Sequence, residues 1–307
     1  MAQLVSDVGG AIGHTPMVEL TNIWNNGRVR ILAKLEGSNP GGSVKDRPAL
    51  FMIREALEKG MLTPGRTILE ATSGNTGIAL AMIAASMGHK IKLVMPACVS
   101  IERRAVLEAY GAELVLSSAC EATDGAIRLA RRIMEEAPDM YYMPDQFSNE
   151  SNCLSHYMTT GPEIWSQTGE EVDVFVSGLG TTGTIMGTGR YLKQVKKSVK
   201  VVAAEPVVGH RIQGLKNMCE SIVPSIYKPE EIDETISVND EDAFETARLL
   251  AVREGLFVGM SSGAAVHAAM KAASDLDSGT VAVILPDRGD RYLSTALFRS
   301  VCGECPP

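Results

Sequence analysis

The 307-residue sequence lacks the marks of several whole classes of protein. Basic residues are in deficit: 29 Lys and Arg stand against 37 Asp and Glu, for a formal charge of −8. They are scattered rather than banked, which argues against nucleic acid and anionic membranes as partners. No apolar run reaches the roughly 18 residues of a membrane span. The opening MAQLVSDVGG has an acid and no basic region, so no secretory signal is visible. The expectation is a soluble, cytoplasmic protein. Cysteine pairs are also missing. Cys98, Cys120, Cys153 and Cys219 stand alone, as suits a reducing compartment. Cys302 and Cys305 have C-x-x-C spacing, but no second ligand pair or thioredoxin-like unit accompanies them, so they read as an exposed tail. His14, His89, His156, His210 and His267 show no ligand spacing with acids, and no metal site is expected.

Apolar residues are plentiful, at 45% of the chain. A chain of this length buries roughly 75% of its unfolded surface, in one large domain or two ordinary ones. Nearly continuous apolar runs (RILAKLE, TILEA, IKLVMP, AELVLS, VDVFVSG, KVVAAEP, VAVILP) alternate with helical patterns such as IALAMIAASMG, IERRAVLEAYG and EDAFETARLLAVREG. That alternation predicts an α/β protein whose parallel sheets are covered on both faces. A polar, turn-rich join at YYMPDQFSNESN separates two α/β runs. Ligands in such sheets sit beyond the carboxyl ends of the strands, so the loops after the strands carry the search for function.

After TILEA come Thr72, Ser73, Gly74, Asn75 and Thr76, leading into a helix. One capping residue would satisfy the helix, whereas five small or polar residues make a site for a carboxylate or phosphate. After VDVFVSG, Gly178, Gly180 and Gly183 fit G-x-G-x-x-G, with Glu205 about 20 residues on, which is a dinucleotide fingerprint on paper. Thr181, Thr182 and Thr184 crowd that turn with hydroxyls, which better suits the oxygens of a terminal phosphate. Ser261 and Ser262 open another helix and, taken alone, read as a cap. Lys45 follows a Gly-Gly-Ser turn, but the spacing is not that of a Walker loop. A lysine at a partly desolvated turn near positive helix ends has a depressed pKa and can form an imine. A charged first helical turn with Asp46 and Arg47 is the competing reading, and these residues alone do not separate the two.

Together, NPGGSVKDRPAL, EATSGNTGIALAMIAA, DQF, TTGPEIW, GLGTTGTI, GMSSGAAV and DRGDRYLST resemble, in that order, the pyridoxal-phosphate-dependent cysteine synthase/cystathionine β-synthase family. The resemblance runs from about Gly13 to about Phe298. GSVKDR with ERRAVLEAYGAEL, and GTTGT, look like the B type of cysteine synthase (O-acetylserine sulfhydrylase). The resemblance implies the tryptophan synthase β-like fold (fold type II) in two domains. Residues 36–145 would form the smaller, mobile domain with the substrate-carboxylate loop. Residues 1–35 and 146–307 would form the larger one, with the phosphate cup and the serine at the pyridine nitrogen.

By the same resemblance, Lys45 holds pyridoxal phosphate as an imine and serves as the catalytic base. Asn75 bonds the ring 3′-oxygen, and Thr72, Ser73, Asn75, Thr76 and Gln146 bind the substrate. Gly180, Thr181, Thr182, Gly183 and Thr184 cup the phosphate, and Ser261 faces the pyridine nitrogen. The implied reaction is β-replacement through an α-aminoacrylate, making L-cysteine from O-acetylserine and sulfide or thiosulfate. O-Phosphoserine sulfhydrylase and cystathionine β-synthase are neighbouring readings, and an NAD-dependent oxidoreductase using the glycine fingerprint is the alternative of another class. A homodimer is implied, with a partner's C-terminal tail in the active-site cleft as a further role. The segment PVVGHRIQGLKNM departs from the more arginine-rich B-type pattern. Arg211 and Lys216 there are either ligands for an anionic sulfur donor or residues of a solvated loop.

Overall fold

The computed structural model describes residues 4–298 other than 73, 98, 100, 119 and 120. In chain order the first elements are β1 (Met17–Glu19), β2 (Val29–Leu35), α1 (Asp46–Glu58), β3 (Thr67–Ala71), α2 (Asn75–Met87), β4 (Ile91–Pro96), α3 (Ile101–Ala109), β5 (Glu113–Ser117), α4 (Ala122–Glu136), β6 (Tyr141–Tyr142) and α5 (Glu150–Ser155). A π-helical turn, His156–Thr160, leads into α6 (Gly161–Gln167). Then follow β7 (Val174–Gly178), α7 (Gly183–Val195), β8 (Lys200–Pro206), β9 (Glu234–Val238), α8 (Asp240–Glu254), α9 (Met260–Ser274) and β10 (Gly279–Leu285).

The chain divides into two compact units, Met1–Ile12 with Asn39–Asn152, and Gly13–Ser38 with Cys153–Pro307. The expected cuts at 36 and 146 thus move to 39 and 153, and the stretch up to Ile12 joins the smaller unit. Val8 and Ile12 pack on that unit's core. Gln146 falls in the same unit, where Asn152 Nδ2 donates to its carbonyl at 2.8 Å.

The first unit has a four-stranded parallel sheet in the order β5-β4-β3-β6. Side chains alternate between its faces. Ile68 and Leu93 pack in one cluster with α1 and α2, while Leu69 and Val94 pack in another with α4. Helix α2 is buried at every position from Thr76 to Ala84 and meets solvent at Ala85 and Ser86 in its last turn.

The second unit has a six-stranded sheet in the order β1-β2-β10-β7-β8-β9, parallel except for β1. Val174, Val176, Val202, Ala204, Val281 and Val283 share one core with α8 and α9. On the opposite face, Gly189 of α7 lies against Val201. The turn into α2 leaves the carboxyl end of β3, and the Gly180–Thr184 loop leaves that of β7, whereas Ser261 and Ser262 follow α8.

Candidate active site

In the first unit, Lys45 stands at the turn from Asn39–Val44 into α1. Gly42 N donates to Asn39 O at 2.8 Å, and Lys45 N to Ser43 Oγ at 3.2 Å. Lys45 is half-buried and α1 has no side-chain cap there. Asp46 and Arg47 are buried rather than forming a solvated first turn. Asp46 folds back under the loop, and a Cβ on Gly41 would lie 2.6 Å from Asp46 Oδ1. That contact explains the glycine.

Strand β3 delivers Thr72, whose Oγ1 accepts Gly74 N at 3.3 Å. Asn75 then opens α2, again with no side-chain cap. Thr76 is buried and its Oγ1 donates to Gln146 Oε1 at 2.6 Å. The fold therefore brings together two of the expected carboxylate-binding residues from positions 70 apart in the chain. An uncapped helix start with converging hydroxyl and amide groups attracts an anion. Ser73 lies outside the described residues, as do Cys302 and Cys305.

In the second unit, the Gly180–Thr184 loop bridges β7 and α7. A Cβ on Gly180 would lie 2.7 Å from the Gly214 carbonyl oxygen, so the neighbouring backbone leaves room only for glycine. Thr182 has φ +69°, in the left-handed region that a β-branched residue rarely occupies. Its Oγ1 is buried without a hydrogen-bond partner, and α7 has no side-chain cap. Thr184 Oγ1 lies 3.2 Å from His156 Nε2, and His156 Nδ1 lies 2.8 Å from Thr160 Oγ1. His156 is wholly buried. Sequence reasoning gave it no chemistry; its proximity to the TTGPEIW motif was the available signal. Ser261 and Ser262 are buried in the first turn of α9, and Ser262 Oγ has no partner. A Cβ built on Gly214 would lie 3.6 Å from Ser261 Oγ, so the Gly214 loop runs beside that serine.

The loop after β8 is tied down by its own unit. Glu205 Oε1 accepts Met218 N at 2.8 Å, and Asn217 Nδ2 donates to Pro206 O at 2.9 Å. Glu205 is thus committed to backbone, which weakens its reading as a ribose ligand. Arg211 donates from Nε to Asp240 Oδ2 and from its backbone N to Asp240 Oδ1, both at 2.8 Å. A cavity of about 790 Å³ lies beside it, lined by His210, Arg211 and Arg248 but also by Asp240, Glu241 and Glu245. That mixture offers no net trap for an anion. Lys216 N donates to Leu179 O at 2.7 Å, linking the loop to the threonine-rich turn.

These donors fit pyridoxal phosphate. A buried, unpartnered threonine hydroxyl at an uncapped helix start is chemistry for a phosphate. Comparison with known proteins agrees. The family described as pyridoxal-phosphate dependent enzyme matches residues 8–287. The chain is 47% identical to cysteine synthase B of Salmonella typhimurium over 287 residues, 94% of each chain. It is 45% identical to the cysteine synthase of Aquifex aeolicus, over 94% of this chain and 90% of that one. The crystal structure of cysteine synthase from Entamoeba histolytica matches with a TM-score of 0.93 at 39% identity, over 96% of this chain and 91% of that one. The chain belongs to the pyridoxal-phosphate-dependent enzymes and, among them, to the cysteine synthases of the B type.

Proposed function

We propose that the protein makes L-cysteine from O-acetylserine and a sulfur nucleophile, by β-replacement. The observation that carries this reading is the Thr76–Gln146 pair at the uncapped start of α2, a place for the carboxylate of an amino acid. The nicotinamide alternative falls with the family assignment, since it leaves Lys45 and the Thr72–Thr76 loop without a task.

Lys45 would hold the cofactor through its aldehyde carbon, Asn75 would bond the ring 3′-oxygen, and Thr72, Ser73, Thr76 and Gln146 would grip the substrate carboxylate. Gly180, Thr181, Thr182, Gly183 and Thr184 would bind the phosphate, and Ser261 would face the ring nitrogen. When bound, pyridoxal phosphate supplies the electron sink. A neutral serine does not enforce a protonated ring nitrogen, so Ser261 keeps that sink moderate and favours elimination of a good leaving group. Lys45, once released by the incoming amino acid, takes the α-proton as general base while acetate departs. Sulfide, or thiosulfate, adds at Cβ, and Lys45 returns the proton to Cα. The same reading has the enzyme working as a cytoplasmic homodimer, able to receive a partner's C-terminal tail at the active site.

Spectral titration of the cofactor-loaded protein tests this. O-Acetylserine should shift the visible absorption, and sulfide or thiosulfate should restore it with release of cysteine or its S-sulfo derivative. A response to O-phosphoserine or serine alone would move the first substrate to that neighbouring class. Lys45→Ala should abolish the visible band and turnover while leaving the circular dichroism unchanged.

A further inference from the structure

A buried acid stands two residues before Thr72, and no role assigned above uses it. Glu70 is 3% exposed in β3. Its Oε2 accepts the backbone N–H of Asp145 at 3.0 Å. Asp145 has φ +47°, in the left-handed region that glycine, asparagine and aspartate adopt more readily than other residues. The turn is fastened from its other side as well. Ser148 N and Asn149 N each donate to Asp145 O at 3.0 Å, and Asn149 Nδ2 donates to Pro144 O at 2.9 Å. The next residue is Gln146, whose side chain receives Thr76 Oγ1.

A carboxyl group is a poor choice for filling this space. Burial and, after it, the charge of Asp145 push Glu70 up to about 8. An apolar side chain of similar size would avoid that penalty but could accept no N–H. What the acid supplies is an acceptor oxygen directed at the Asp145 peptide group of the turn.

We propose that Glu70 is a positioning residue for the substrate. It clamps the backbone of Asp145, and so holds the side-chain amide of the next residue, Gln146, against Thr76, where the amino-acid carboxylate is bound. The substrate part of the proposal rests on the carboxylate-binding roles given above to Thr76 and Gln146.

The test uses the cofactor-loaded enzyme and the variants Glu70→Leu, Gln146→Ala and their combination. Leucine is close to Glu70 in size but accepts no hydrogen bond, so the Asp145 N–H is left without its acceptor. Glu70→Leu should raise KM for O-acetylserine about 10-fold with kcat held within about 2-fold, and should add nothing further once Gln146 is alanine. Glu70→Gln, whose amide oxygen still accepts that N–H, should keep KM within about 2-fold of wild type. Hydrogen exchange at the amide of Asp145 should accelerate at least about 10-fold in Glu70→Leu, with or without substrate. An unchanged KM, equal KM effects in both backgrounds, or unchanged exchange at that amide would overturn the proposal. If Glu70→Leu does not fold, Glu70→Asp, which retracts the acceptors by one carbon, should show the same pattern. A wild-type enzyme inert toward O-acetylserine would instead overturn the functional reading, while the exchange measurement would still judge the clamp.

Discussion

Glu70 carries a pH dependence of its own. Its folded-state pKa of about 8 lies above the ordinary 4.5. The native protein therefore holds a proton that the unfolded chain gives up between those values. Stability linked to this group is fully present below about pH 4.5 and is lost as pH rises toward 8. Glutamine has no such titration. The stability of Glu70→Gln relative to wild type should therefore climb as pH goes from about 5 to 8, by up to about 1.4 kcal/mol per pH unit. Urea melts at several pH values measure it, and parallel curves for the two proteins would refute the assignment. Tyr142, whose pKa burial pushes up to about 12, stays neutral throughout that window. At this scale the sequence was readable where chemistry is local. Lys45, Asn75 and the threonines sit in short turns whose composition exceeds what a turn needs. Glu70 and His156 were not readable, because the groups that give them meaning lie 75 and 28 residues away.

Helix starts differ in how their free N–H groups are met. Helix α8 is closed by its own side chain: Asn239 Oδ1 accepts Asp242 N at 2.8 Å. Helices α2, α7 and α9 have no side-chain cap. Asn239→Ala should cost about 1 kcal/mol in urea denaturation and leave kcat/KM unchanged. Thr182→Gly should act in the opposite sense. It relieves a β-branched residue held at φ +69° and stabilises the cofactor-free protein by about 0.5–1 kcal/mol, less than the full strain because glycine also loosens the unfolded chain. It also removes a buried hydroxyl aimed at no protein group, so pyridoxal-phosphate affinity should fall about 10-fold, read by equilibrium dialysis. Loss of stability together with unchanged cofactor affinity would show that the strained turn serves the fold alone. The seven long apolar runs all became strands, and the three helical patterns became α2, α3 and α8. The sequence reading missed β1, β6 and β9, all edge strands. β1 and β6 have three and two residues, and β9 alternates buried with exposed positions rather than running apolar. Edge position alone does not hide a strand, since β5, also at an edge, was read from its apolar run.

Across the second unit, distant segments are joined by a charge taken entirely out of water. Lys34 lies in β2, in a run that reads as an apolar strand interrupted by Arg30 and Lys34. Its side chain has no exposure and its Nζ sits 2.7 Å from Glu163 Oε2, with Thr15 O and Gln167 Oε1 each at 2.6 Å. Glu163 Oε1 also accepts His14 N at 2.9 Å, where His14 holds φ +49°. The acid of the TTGPEIW motif is therefore a structural anchor joining α6, β2 and the loop before β1. No local pattern could have announced this, because Gln167 stands 133 residues from Lys34. Removing one partner from such a pair leaves a buried charge without compensation, whereas replacing both with apolar groups removes two desolvation penalties at once. Glu163→Ala should therefore lower stability by about 3–5 kcal/mol in chemical denaturation. Lys34→Met combined with Glu163→Leu should recover most of that loss, although His14 N then lacks its acceptor and a residue of about 1 kcal/mol should remain. A double variant as unstable as the sum of its single substitutions would mean that the pair itself, and not the relief of a stranded charge, holds these three segments together.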